Sequence, residues 1–304
     1  IQLFNKQVIS DIDFNFDIQK ELNKIKNSKI QYKKINFLSK NIEIIDNQKF
    51  FIIDGDIKSE VDKFNSEKIS SFLKHGLKDY KIKNLKFSTS NNFKLKLSKK
   101  FKISDFTLQS KIKLDSLNYE FDNDEIVNFF PNYQGSLDFK DHEIELLFKE
   151  NQLSVKGVGK YFLDEEGEKI EYEMLRKNKN LNFKSKININ KNSLYLSKLN
   201  FKKKENSESI LIIDGVYKKN KSLFFKKILL NQANNNFLIK DLDLSKNFKI
   251  NYFNLINLNF VNEHDKKNEI FLKKNEKNYL FTSEILDGSE FLNELLNGDG
   301  SEGI

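Results

Sequence analysis

Few residues in this chain are equipped for chemistry. His75, His142 and His264 are its only histidines; they stand far apart, and no cysteine exists to join them. Neither the helical HExxH spacing nor a Cys-His ligand set is present, so each reads as an ordinary surface or core residue. Asp164, Glu165 and Glu166 run into Gly167 in a polar stretch that spells a turn more than a metal cluster or an acid-base pair. The "GVGK" at 157 to 160 lacks the spacing and the Ser or Thr of a phosphate loop, and GxSxG does not occur. The expectation is a protein that is not an enzyme and uses no cofactor or metal.

Charge narrows the partners. The formal net charge is +8, which invites nucleic acid or an anionic membrane. Arg176 is the only arginine, however, and bidentate recognition of phosphate or guanine is mainly arginine's work. The lysines alternate with apolar residues, as in "FKLKLSKKFKI", which is the pattern of a solvated strand face. Nucleic acid is therefore not an expected partner. With 38% hydrophobic and 32% charged residues and a mean hydropathy of -0.61, the chain reads as a folded protein with much wetted surface. No apolar run reaches the roughly 18 residues a membrane helix needs. The chain opens at Ile1 and stops at Ile304 in mid-pattern, which reads as a piece of a longer protein.

The elements that must position any site are strands. Period-two alternation, which sends successive side chains to opposite faces, dominates. It is carried by Phe93, Leu95 and Leu97, then Phe101 and Ile103, Phe106 and Leu108, Ile112 and Leu114, and Leu117, Tyr119 and Phe121. It returns at Phe183, Ile187 and Ile189, at Leu242 and Leu244, and at Leu258 and Phe260. Runs broken by Ser, Asn, Asp, Lys or Gly predict an all-β meander of antiparallel strands with one dry face. Helix is expected at "SEKISSFLKHGL" (66 to 77), at a short turn in "DEIVNFFPNY" before Pro131, and at the end of the chain. "FFIIDGDIKSE" at 50 to 60 resembles "ILIIDGVYKKN" at 210 to 220, each a strand running into Asp-Gly, the commonest hairpin signal. Nothing resembles a linker, so residues 1–304 read as one continuous unit, with 1–80 and 81–304 as candidate sub-units.

A dry face must be covered, because each Leu, Ile or Phe gains roughly 1.5–3 kcal/mol on burial. A second sheet, the same sheet curled over, or a bound apolar ligand would serve, and the residues alone leave all three open. An ordinary sandwich uses about 7 to 9 strands in about 100 residues; about 20 candidate strands and a single proline fit a continuous, elongated sheet better.

In "TSEILDGSEFLNELLNGDGSEG", Asp287 and Glu290 form a capping-box variant, Phe291, Leu292, Leu295 and Leu296 share one face, and Gly298, Gly300 and Gly303 follow. This segment resembles the closing pattern of the AsmA-like superfamily (AsmA, TamB and YhdP), with Gly298 and Gly300 flanking Asp299 where the family pairs its glycines. "LSKLNFKKKENSESILIIDGVYKKN", "FPNYQGSLDFKDHEIELLF" and "VKGVGKYFLDEEGEKIEYEM" are similar to its strand-and-turn units, so that most of residues 80 to 304 is covered.

The resemblance implies a strongly curved antiparallel sheet forming a U-shaped groove in the periplasm, anchored to the inner membrane by a segment outside this chain. Its floor would carry phospholipid acyl chains toward the outer membrane, with envelope proteins as partners at the chain ends. The alternating residues from Phe93 to Phe121, with Phe183, Ile187, Ile189, Leu242, Leu244, Leu258 and Phe260, would line that groove, and lysines near its rim would hold head groups. The alternative is a structural or adhesive envelope protein in which the same residues pack against each other.

Overall fold

The computed structural model describes residues 11–18, 22–32, 35–64, 81–120, 124–219, 222–276 and 278–287. The helices expected over 66–77 and beyond Asp287 lie outside these residues, as does Phe121. By internal contacts the chain divides into two compact units. Unit 1 comprises Ile1–Phe121, Leu137–Lys160 and Glu173–Asn178, and unit 2 comprises Asp122–Ser136, Tyr161–Tyr172 and Lys179–Ile304.

The described residues are nearly all β. The early strands are β1 (Asp11–Ile18), β2 (Leu22–Tyr32), β3 (Ile35–Asn47), β4 (Phe50–Phe64), β5 (Lys81–Ser98) and β6 (Ile103–Glu120). A short helix α1 (Asp124–Phe129), where the sequence predicts one, leads into β7 (Ser136–Lys149), β8 (Gln152–Phe162), β9 (Gly167–Lys177) and β10 (Asn180–Asn188). Then come β11 (Leu194–Leu196), a turn of 3-10 helix (Ser197–Leu199) and β12 (Phe201–Lys203). The remainder is β13 (Ser209–Lys218), β14 (Ser222–Gln232), β15 (Asn235–Ser245), β16 (Ile250–Tyr252), β17 (Leu255–Val261), β18 (Lys267–Asn275) and β19 (Asn278–Thr282).

Seventeen of the described strands belong to one antiparallel sheet that is not closed into a barrel, and β11 and β12 make a separate ladder. Strands follow one another in chain order: β1 to β6 pair successively, β13, β14 and β15 continue from β10, β16 and β17 share the flank of β15, and β18 and β19 finish the meander. Such local pairing needs only hairpin connections.

Two expectations change at the level of individual strands. The breaks in alternation between residues 103 and 120 are not turns, because β6 runs through all of them. Its register against β5 shifts between Lys94 and Lys96 and again on either side of Lys86, so the extra residues are absorbed as bulges. Each bulge reverses parity and returns the apolar side chains to the same face. Similarly, neither Asp-Gly pair makes a hairpin: Gly55 lies inside β4 and Gly215 inside β13. A Cβ on Gly215 would stand 2.6 Å from the Phe183 ring and 2.6 Å from the Phe224 carbonyl; one on Gly55 would stand 2.9 Å from the Ile42 side chain. Both glycines exist so that a neighbouring side chain can cross the strand.

Lysines on the opposite face meet acids across the ladders. Lys94 faces Asp54 and Lys24 faces Glu43, each at 3.1 Å. The exposed Lys94 pair contributes little energy, and both pairs satisfy the solvated side. Among the described residues most apolar side chains of the sheet are half-buried instead of covered.

Candidate functional site

In unit 1, register assembles the alternating residues into rows that cross the strands. Ile25, Ile42, Gly55, Phe93 and Leu108 form one row, and Ile44, Ile53 and Leu95 form the next. Every side chain in these rows is half-buried: cross-strand neighbours cover its flanks and leave its tip accessible. Deeper burial begins only where Ile35 and Val61 pack with Phe37, Leu85 and Phe87, next to Leu114. Phe106, Leu108, Ile112, Leu117 and Tyr119 are half-buried, as is Leu97. Phe101 lies in the β5–β6 turn and Ile103 at the start of β6, and both are exposed.

A polar line interrupts this apolar face. Ser28 is registered opposite Ser39; Ser59 opposite Thr89, their hydroxyls 2.7 Å apart; and Asn91 opposite Ser110. Ser110 donates to Asn91 Oδ1 at 2.6 Å, and Asn91 Nδ2 donates to Thr89 Oγ1 and to the Ile57 carbonyl. The bulge that aligns this line is held by Asp56, whose carboxylate accepts the amides of Lys40 and Asn41.

Unit 2 repeats the rows and then seals one end of them. Ile187, Leu211, Leu230, Phe237, Leu258 and Ile270 are successive partners, and Ile213, Ile228, Ile239, Ile256 and Leu272 form the neighbouring row. Phe183 stands edge-on to Phe225 across Gly215, at 6.0 Å between ring centroids, with Leu242 next in register. Leu244 continues from Leu223. All of these are half-buried except Leu230, Phe237 and Leu258, which are covered.

The cover is the chain itself. Phe201, 1% exposed, sits 4.6 Å from the Phe237 ring and 5.9 Å from Phe260, which lies 5.2 Å from Phe237. Ile189, Leu194 and Tyr133 are buried in the same unit. Thus Ile189, Leu258 and Phe260 belong to a self-packed core, while Phe183, Ile187, Leu242 and Leu244 remain on the accessible part of the face.

A buried polar network holds this cover down, and no sequence motif announces it. Glu168 accepts the amides of Asn190 at 2.8 Å, Lys191 at 2.6 Å and Asn192 at 3.2 Å, and also the Asn192 side chain. Lys203 is fully enclosed and donates to the carbonyls of Asn190, Asn192 and Lys204 at 3.0, 2.6 and 3.0 Å. Burial pulls its ammonium below the usual lysine range, against the pull of Glu168 and Glu205. Tyr161 donates to the Asn188 carbonyl at 2.7 Å, and burial, with Glu168 nearby, pushes its phenol up. These groups are engaged with backbone, so the network is a clamp for residues 189 to 209.

The remaining chemistry-bearing residues are structural as well. His142 is buried with its ring against Gly159, its Nε2 is 3.0 Å from the Lys160 carbonyl, and burial lowers its pKa. His264 is exposed in the β17–β18 turn, where its amide donates to Asn262. His75 lies outside the described residues. Asp164 accepts the Glu166 amide at 2.9 Å in the turn before Gly167. Among the described residues no group of three His, Asp or Glu side chains is arranged to hold a metal ion, and no helix is long and apolar enough to cross a membrane. No protein-family model, curated protein or solved structure matches the chain.

Proposed function

We propose that this chain binds the acyl chains of phospholipids along the half-buried rows of its sheet. It would act without cofactor as a segment of a bridge-type lipid carrier of the bacterial envelope. The observation that supports this reading is the accessible apolar face itself. The row from Ile213 to Leu272, half-buried throughout, crosses five strands, a span of about 19 Å, against the ~15 Å half-thickness of a bilayer's hydrocarbon core. Residues that cross-strand packing leaves half-buried gain further when an acyl chain covers them, at about 25 cal/mol per Å². The envelope location rests on the resemblance of the closing segment to the AsmA-like superfamily.

The test is native mass spectrometry with lipid extraction on the full chain purified from a Gram-negative periplasm. Wild type is compared with Leu95→Asp in unit 1 and Ile228→Asp in unit 2, both on half-buried rows. Phospholipid that accompanies wild type and is depleted in the folded variants, checked by circular dichroism, supports the reading. A folded wild type free of lipid, or variants that retain it, sinks the reading in favour of a self-packed structural protein.

A further inference from the structure

The most solvent-exposed large apolar side chains among the described residues are two phenylalanines in the same seven-residue setting. Residues 97 to 103 read "LSKKFKI" and residues 244 to 250 read "LSKNFKI", one in each unit. Phe101 is 77% exposed and Phe248 72%, while Ile103 and Ile250 are each 64% exposed.

The two segments fold alike. In the first, Ser98 N donates to the Lys102 carbonyl at 2.9 Å, Phe101 N to the Ser98 carbonyl at 2.8 Å, and Lys102 N to Ser98 Oγ at 3.0 Å. In the second, Ser245 N donates to the Lys249 carbonyl at 2.8 Å, Phe248 N to the Ser245 carbonyl at 3.0 Å, and Lys249 N to Ser245 Oγ at 3.1 Å. Leu97 registers with Ile103 just as Leu244 does with Ile250.

In each turn the phenylalanine occupies the left-handed position, at φ 58° for Phe101 and 59° for Phe248. Glycine or asparagine ordinarily fills that place, because a side chain there strains the backbone. A bulky ring held in a strained conformation and pointed at solvent costs the fold twice. It recurs in two units, so stability alone does not account for it.

The surroundings are cationic. Lys99, Lys100 and Lys102 flank Phe101, and Lys246 and Lys249 flank Phe248; all five are exposed. At the first tip Asp46 is paired with Lys99 at 2.5 Å, whose ammonium also lies over the Phe51 ring, and Asp105 with Lys96 at 2.7 Å, so Lys100 and Lys102 form the collar there. At the second, Asp243 accepts a hydrogen bond from Asn251. In unit 2 the β13–β14 turn adds exposed Lys218 and Lys219 at the same strand ends, since Ser222 registers with Ser245. Lysine collars around an aromatic and an aliphatic tip match the two layers of an anionic bilayer surface: phosphates outside, hydrocarbon just beneath.

We propose that the 97–103 and 244–250 hairpin tips are membrane-docking prongs, each inserting its Phe-Ile pair into an anionic phospholipid surface while its lysines engage the head groups. The proposal does not require that the sheet face bind acyl chains.

The glycine variants Phe101→Gly and Phe248→Gly remove the ring and relieve the left-handed strain, so the turn survives the test. Flotation is measured with vesicles of phosphatidylcholine containing phosphatidylglycerol and with phosphatidylcholine alone. Wild type should float with the anionic vesicles, less so at high salt, and the double glycine variant should bind at least tenfold more weakly while keeping any co-purified lipid. Because the chain contains no tryptophan, Phe248→Trp reports insertion directly, and its emission should shift to the blue on anionic vesicles only. Absence of wild-type flotation, unchanged binding by the double glycine variant, or an unshifted tryptophan overturns the proposal. Loss of co-purified lipid in the Leu95→Asp variant with flotation intact would separate the two functions.

Discussion

Phe93 in unit 1 and Phe201 in unit 2 are the same residue type set against the same kind of apolar face, with opposite fates. Phe93 sits in a row five strands wide in which every member is half-buried. Phe201 arrives from outside the sheet on β12 and closes over Phe237 and Phe260. Among the described residues the buried apolar side chains follow this division: unit 1 contributes Ile35, Val61 and Leu114, and unit 2 contributes Tyr133, Tyr161, Leu163, Ile189, Leu194, Phe201, Leu230, Phe237, Leu258 and Phe260. A meandering sheet does not by itself make a dry core; a segment that leaves the sheet and returns across it does. Among the described residues of unit 1 no such segment crosses the rows, and their side chains are half-buried.

The contrast is most sharply tested at the cover. Phe201→Ala should destabilise by about 3–5 kcal/mol, the range for emptying a sealed aromatic site, and amide exchange should rise first in residues 189 to 209. Equal exchange across both units would mean the cover is not a separate cooperative element. Next in size is the clamp. Lys203→Met strands three carbonyls and leaves the Glu168 charge without its buried counterpart, for about 3 kcal/mol read from a denaturant midpoint. Gly215→Ala pushes a methyl group to 2.6 Å from both a ring and a backbone carbonyl and should cost about 1–3 kcal/mol, whereas Gly55→Ala, which would meet the Ile42 side chain at 2.9 Å and the Asn41 carbonyl at 3.0 Å, should cost less.

On the open face, Phe93→Ala should lose only about 1–2 kcal/mol, because a half-buried ring gives up less area and leaves no closed cavity. A loss as large as that of Phe201→Ala would show that something covers unit 1 after all. The smallest effect is one of pH. Burial depresses His142, so the folded state favours the neutral ring. Its stabilising contribution is complete above the ordinary histidine range near pH 6.5 and declines as pH falls through and below it. His142→Gln should flatten that part of the stability-pH curve in urea titrations; an unchanged slope would assign it to other groups.

Much of this was readable from residue order, and the failures have identifiable causes. Strand identity was legible because alternation is local. Phe93, Leu95 and Leu97 declare their face without reference to any partner. The breaks at Asp105 and Asp115 looked like turns because a bulge and a turn use the same polar residues, and only the partner strand distinguishes them. "IIDG" looked like a hairpin twice, although Gly55 and Gly215 answer to crossing side chains on neighbouring strands. Alternation placed Phe260 with the open-face residues because it says which face a side chain takes and nothing about what lies over that face.

The sequence by itself determined an all-β chain and its antiparallel meander, because these follow from side-chain period and chain-neighbour pairing. Tertiary structure alone decided that residues 189 to 209 fold back and seal one end of the unit 2 face, and that Glu168 and Lys203 are buried to hold them. It also decided that two lysine-collared phenylalanines stand out in solvent. Those outcomes depend on contacts between residues distant in the chain, or on a turn's backbone angles, and neither leaves a periodic trace in residue order.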